Sequence, residues 1–288
     1  MTTITARQST AGTAGQSAVV AGISEELRQG RRRARVTRLV LSVATPLALL
    51  LLWEVLSRAA VLDARFFPPP TEVASQARAF VTDADERADL LHNLSVSGVR
   101  LFGGFAVGAL AGFLVGLAMG LSRLARDALD LLINATYPLP KLTLFPLMII
   151  FFGIGDASKI ALVALGVFYM LAINTALGVR QSNPVYGDVS TAFRLPLWTR
   201  FRRVVVPAAL PSILAGMRLG FGQALILVVS TEFLSANDGI GYFIWNSWQV
   251  LDVPAMFVGL AIVGVVGGLS AWAFNALGQW LAPWAEQK

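Results

Sequence analysis

Residues 94–121 read LSVSGVRLFGGFAVGALAGFLVGLAMGL. A hydrocarbon core about 30 Å thick needs roughly 20 apolar residues in a helix, and this run exceeds that. Its continuous apolar character selects a helix over a barrel strand, because membrane strands alternate polar and apolar positions in segments of about ten. A helix also satisfies its own backbone groups in lipid. Within the run, Gly104, Gly108, Gly112, Gly116 and Gly120 recur every fourth residue along one ridge. Small residues at that spacing let a neighbouring helix approach closely, so the ridge is read as a packing seam.

Working outward, comparable runs lie at 39–56, 129–152, 160–178, 208–234 and 254–281. The expected fold is an all-α integral membrane protein of about six transmembrane helices. Composition agrees: 56% of the 288 residues are hydrophobic, 14% are charged and the mean hydropathy is +0.66. An ordinary soluble domain carries roughly 25% charged residues.

Loop charge gives an orientation. With the amino terminus inside, the inner segments hold Arg28, Arg31, Arg32, Arg33, Arg35 and Arg38, then Arg123 and Arg126, then Arg180, Arg194, Arg200, Arg202 and Arg203. The outer segments hold Arg58, Arg65, Arg78, Arg87 and Lys159. The positive-inside rule therefore places both termini in the cytoplasm. The pI near 10.3 is a topology signal, not a nucleic-acid footprint. Residues 1–38 are expected to form a basic cytoplasmic tail, disordered over 1–27, that leads into a signal anchor rather than a cleaved leader. The membrane-embedded body is 39–281, with a cytoplasmic loop at 180–207 and a cytoplasmic tail at 282–288.

Chemistry within the chain is largely excluded. Cysteine is absent and His92 is the single histidine, which leaves no thiolate chemistry and no histidine-based metal site or proton relay. The lysines are Lys141, Lys159 and Lys288, and none follows a glycine as a phosphate-binding P-loop requires. No nucleophile, base and orienting residue stand in a catalytic pattern.

Four local features bear on function. Phe66-Phe67-Pro68-Pro69-Pro70-Thr71-Glu72-Val73 reads as an extended stretch with Thr71 capping a short helix, whose Val73, Ala77, Phe80 and Val81 share one face. That helix is expected to lie on the outer membrane surface, the alternative being a solvated linker. Pro138, Pro140 and Pro146 should bend the third span. Lys141, about 21 Å along an ideal helix from Asp127, would then lie deep in the membrane, attracting an anion along a path, pairing structurally or snorkelling along the broken helix. Arg218 and Glu232 are further path candidates, Arg218 alternatively reaching back to the headgroups, while Glu54 and Arg58 form an interfacial ion pair.

The loop between the fourth and fifth spans runs from Asn183-Pro184 through Arg200-Phe201-Arg202-Arg203 to Pro207-Ala208-Ala209-Leu210-Pro211. Asn183 caps a helix with Pro184 at its first position, Val185, Val189, Ala192 and Phe193 share a face, and Pro196 separates a second, basic piece. By its residues alone this is a knob for a partner protein or a hairpin binding anionic lipid. Residues 188–211 resemble the ATPase-coupling loop of ABC importer permeases, Glu-Ala-Ala, three residues, Gly, then a stretch ending in Leu-Pro. Here Asp188, Val189 and Ser190 stand at the start, Arg194 in the glycine place, and Leu210-Pro211 at the end.

The resemblance covers most of 39–281 and is similar to the sulfonate, taurine and nitrate branch. It includes Phe67 to Val73, Phe152-Gly153-Ile154-Gly155-Asp156-Ala157-Ser158-Lys159-Ile160 and Gly239-Ile240-Gly241-Tyr242-Phe243-Ile244-Trp245-Asn246. It implies a type I ABC importer permease bundle in the cytoplasmic (inner) membrane, importing a small organic or inorganic anion. It further implies that Asp188, Val189, Ser190, Thr191, Ala192, Phe193, Arg194, Leu195 and Pro196 dock on separate cytoplasmic ATPase subunits that carry ATP and Mg. An extracytoplasmic solute-binding protein, a second permease copy and membrane lipid are the other implied partners, with no cofactor in this chain. The competing readings are an ion-coupled secondary transporter, which would show repeats and intramembrane carboxylates, and a non-transporting membrane scaffold.

Overall fold

The computed structural model describes Thr37, residues 40–181 and residues 196–286. The long apolar runs are helical, and the one at 129–152 is split by a sharp break. Five helices have the length and apolar character to cross a membrane, and a sharply bent pair makes a sixth crossing if it is taken as one.

The chain up to Thr71 forms its own compact unit. Its helix α1, Val40–Arg58, presents Leu41, Val43, Leu47, Leu49, Leu51 and Val55 on its surface, as a lipid-facing helix should. The expected Glu54 and Arg58 pair is present. Glu54 also accepts from the Thr71 amide at 3.1 Å and its hydroxyl at 2.9 Å, and Ser57 Oγ donates to the Phe67 carbonyl at 2.7 Å. Helix α2, Pro70–Thr82, therefore starts on a carboxylate supplied by α1, where the sequence suggested Thr71 as its own cap.

The second unit holds the remaining elements. The apolar face of α2 does not rest on lipid. Phe80 is buried with Ala255 and Val258, flanked by Val73 and Ala77, and meets Phe243 edge-on at 5.5 Å. Val81 stays exposed. Asp83 then accepts from the amides of Asp85 and Glu86 and starts α3, Ala84–Leu121, a 38-residue helix about 57 Å long. It begins ten residues before the apolar run, because Asp83 caps it and its first turns are polar. Ser122 ends α3 and caps α4, Arg123–Thr136, by accepting from the Ala125 amide.

Prolines break the third span where expected. After Tyr137-Pro138-Leu139-Pro140 a short 3₁₀ turn, Lys141–Leu144, leads into α5, Phe145–Phe152, and the two halves meet at 97°. Helix α6, Asp156–Arg180, follows and is the centre of the bundle: over half of its apolar window is buried, against 6% for α1. Helix α7 runs from Phe201 to Ser235, its first five residues wound as a wider π turn and Leu197–Arg200 leading into it. Helices α8, Ile240–Gln249, and α9, Val253–Leu281, complete the bundle, with a 3₁₀ turn at Pro283–Glu286.

The core joins α3, α5, α6 and α7 through Leu101, Phe145, Leu162, Val163, Val167, Leu171, Phe221, Leu227 and Val228. The glycine ridge of α3 faces α6: a Cβ on Gly108 would lie 2.2 Å from the Ala164 carbonyl oxygen, and one on Gly112 would lie 2.5 Å from that of Phe168. The seam read from the sequence is thus a backbone-to-backbone contact.

Candidate functional site

At one end of the bundle α3 passes between the start of α6, the end of α7 and the start of α8. Arg100 of α3, only 3% exposed, organises this end. Its Nε donates to Asp156 Oδ1 at 2.7 Å, one terminal nitrogen donates to Glu232 Oε1 at 2.8 Å and to the Asp238 carbonyl at 3.0 Å, and the other donates to Asp238 Oδ1. Arg100 thus ties α6, α7 and the α7–α8 connection to α3. Buried charges are tolerated when paired and fully hydrogen-bonded, and the planar guanidinium has enough donors for three carboxylates.

Glu232 sits on the opposite side of that pairing with its side chain fully buried. Ser97 Oγ donates to its carboxylate at 2.8 Å, and the Gly241 amide donates to Oε2 at 2.8 Å. The Ile240 amide donates to Ser97 Oγ and the Gly239 amide to Asn93 Oδ1, both at 2.7 Å. Three amides that open α8 are therefore satisfied by side chains of α3 and α7. Gly239 has φ +104, and a Cβ there would lie 2.4 Å from the Glu232 carboxyl carbon. Only glycine allows both that backbone and that approach.

A cleft of about 630 Å³ opens beside this network, lined by Arg100, Asp156, Lys159, Asp238, Tyr242 and Trp245 among others. Lys159 is 4% exposed, and among the described residues its ammonium donates only to the Gly155 carbonyl, at 3.3 Å. The segments Phe152–Ile160 and Gly239–Asn246, far apart in sequence, meet here around Arg100. Arg100 was not singled out by sequence reasoning. The available signal was a charged residue inside an apolar run, which is costly and usually functional.

The remaining candidates are dispersed. Lys141 lies just past the break, so the distance along an ideal helix does not apply to it. Its ammonium donates to the carbonyls of Thr136, Tyr137 and Leu139 and stands over the rings of Tyr137 and Tyr169, at 5.5 and 4.5 Å from their centroids. It closes the open carbonyl end of α4. Lys141→Met should lower stability by about 1–3 kcal/mol through the Tyr137 and Leu139 carbonyls it leaves without a donor, read as earlier thermal unfolding in detergent. Slower uptake with unchanged unfolding would instead assign Lys141 to a path.

Arg218 donates to Asn275 Oδ1 at 2.8 Å, linking α7 to α9 beside a second cleft of about 490 Å³ nearer the opposite end. Of the coupling-loop residues, Asp188 to Leu195 fall outside the described residues, and Pro196 is exposed. Beyond it Trp198 is exposed with its ring 5.9 Å from Phe201, and Arg202 and Arg203 are exposed as well. Among the described residues no group of His, Cys, Asp and Glu is placed to hold a metal ion. The arrangement offers charge pairing and a solvent-open cleft, with no nucleophile set against a base.

Comparison with known proteins places the chain in a family. The taurine transport system permease protein TauC of Escherichia coli K12 is 30% identical over 269 residues, covering 91% of this chain and 97% of that protein. The putative aliphatic sulfonates transport permease protein SsuC of the same organism is 33% identical over 225 residues, covering 78% and 84%. The nitrate import permease protein NrtB of a Synechocystis strain is 28% identical, covering 83% and 88%. Among solved structures, an inward-facing form of the MetNI methionine ABC transporter shares the fold at a TM-score of 0.54 and 17% identity, over 67% of this chain and 94% of that one. The model of the family described as binding-protein-dependent transport system inner membrane component matches residues 107–288, and the chain belongs to that family of importer permeases.

Proposed function

We propose that this permease moves a small anion, a sulfonate, taurine or nitrate, inward across the cytoplasmic membrane at the expense of ATP hydrolysed by separate subunits. Two copies form the path, and an extracytoplasmic binding protein delivers solute to the α8 end. Both termini and the loop at 180–207 face the cytoplasm, where Asp188 to Pro196 engage the ATPase that holds ATP and Mg. The arginine asymmetry of the loops supports this orientation, and the taurine, sulfonate and nitrate named for TauC, SsuC and NrtB support the solute class.

The observation that carries the mechanism is the continuity of α7. Residues leading out of the loop wind directly into a 35-residue helix, about 52 Å long, whose far end carries Glu232 into the Arg100 network. A push on the loop is therefore delivered to the opposite side of the membrane through one stiff element. Arg218 lies along that element, facing a cleft on the inner side, and is the path residue we retain. Glu232 acts as the anchor of the outer end.

The test is reconstitution with the ATPase and binding protein in vesicles. Solute uptake should require ATP, and Phe193→Arg in the loop should reduce it at least about tenfold, by placing a charge on the apolar face that Val185, Val189, Ala192 and Phe193 share in the sequence pattern, while insertion and folding persist. Uptake by this chain alone, driven by a proton gradient and indifferent to ATP, would replace this reading with a secondary transporter.

A further inference from the structure

We propose that the cleft at the α8 end is a binding site for a small zwitterion, whose anionic pole pairs with Lys159 and whose ammonium pole pairs with Asp156 and Asp238. The inference rests on the permease reading and selects, among its solutes, the two-pole taurine type over nitrate and simple sulfonates. The cleft volume, about 630 Å³, lies within the usual range for small-molecule sites.

Charge distribution carries the argument. Lys159 is almost fully buried yet lines the cleft, and it stands farther than 4.0 Å from every carboxylate among the described residues. It lies in the first turn of α6, a 25-residue helix with no side-chain cap at Gly155, so the helix terminus adds positive potential to the same spot. Asp156 and Asp238 keep 55% and 39% of their side chains exposed. Each commits Oδ1 to Arg100, and neither Oδ2 receives a hydrogen bond among the described residues.

Consider what such a lining accepts. Arg100 and Lys159 balance Asp156 and Asp238, and Glu232 behind Arg100 tips the set to net negative. A simple anion gains Lys159 but meets two carboxylates and that excess. A simple cation gains the carboxylates but meets Lys159. A molecule carrying both poles satisfies each, and Tyr242 and Trp245 offer rings to its ammonium or its short apolar link.

The experiment uses the assembled permease and ATPase complex in lipid discs, without nucleotide or binding protein, probed with radiolabelled taurine, ethanesulfonate and ethylamine. Taurine should bind at least about tenfold more tightly than either single-pole probe. Lys159→Met should reduce taurine binding by about the same factor without weakening ethylamine, and Lys159→Arg should restore it. Ethanesulfonate binding as tightly as taurine, an absence of saturable taurine binding, or a folded Lys159→Met that binds normally would overturn the site. If Lys159→Met does not fold, the ranking of the three probes on the unaltered complex decides. ATP-driven uptake in matched vesicles separates the two claims. Uptake without zwitterion binding removes the site alone, whereas zwitterion binding without ATP-driven uptake keeps the site and removes the permease reading.

Discussion

Gly108→Val should leave little correctly folded protein, with the loss traceable to one contact. A Cβ at this position would lie 2.2 Å from the Ala164 carbonyl oxygen and 2.8 Å from its Cα. Both obstacles are backbone of the central helix, which cannot swing aside as a side chain would. Relief requires α3 and α6 to separate, opening a seam on which Leu101, Leu162, Val163 and Val167 depend. Overpacking a core ordinarily costs about 1–3 kcal/mol, and this case should exceed that because rotamer changes offer no escape. The comparison that gives the prediction its content is internal to the same helix. Gly98→Ala, where a Cβ meets nothing within 4 Å, should be neutral or stabilise by up to about 1 kcal/mol. Gly120→Ala, whose nearest obstacles are side-chain atoms of Val179, should fall between them. Thermal unfolding and size-exclusion profiles of the three variants in detergent would order them, and a Gly108→Val protein as stable as Gly98→Ala would contradict the seam.

That seam was legible because a four-residue glycine spacing has a local physical meaning, whatever the partner helix is. The break after Tyr137 was legible for the same reason, since a proline disrupts its own helix. What required the fold was the identity of partners. The apolar face of α2 has the same periodicity whether lipid or protein covers it, and the protein covers it, through Phe243, Ala255 and Val258. Lys141 was placed by counting along a straight helix, and the 97° bend removes the basis of that count. Arg100 is separated from Asp156 by 56 residues and from Glu232 and Asp238 by 132 and 138, so no spacing rule links them. The segments at Phe152–Ile160 and Gly239–Asn246 stood out through family resemblance. That both line one cleft beside Arg100 is a property of the folded chain.

Arg100→Met should be far more damaging than Glu232→Gln, although the two residues form one ion pair. The asymmetry follows from the number of partners. Arg100 has three carboxylates, so neutralising Glu232 still leaves it Asp156 and Asp238. Glu232, fully buried, has Arg100 as its one cationic partner among the described residues, so removing the guanidinium strands a carboxylate with only Ser97 and the Gly241 amide. Breaking a buried pair from that side costs about 3–5 kcal/mol. The amide of Glu232→Gln keeps an oxygen that can accept from Gly241, so the α8 start survives in that variant. It follows that adding Glu232→Gln to Arg100→Met should restore part of the loss, because the stranded charge is gone while its hydrogen-bonding shape remains. Recovery of more than about 1 kcal/mol, measured as a double-mutant cycle on unfolding, would exceed what independent sites give. An Arg100→Met protein that tolerates heating better than Glu232→Gln, or a double variant worse than either parent, would mean that this cluster does not hold α3, α6, α7 and α8 together. Under the proposed mechanism the same variants bear on transport, because the far end of α7 would transmit a stroke only if it is anchored. Arg100→Met reconstituted with the ATPase should therefore hydrolyse ATP with uptake reduced more than hydrolysis, whereas a parallel fall in both would place the defect in assembly rather than in the anchor.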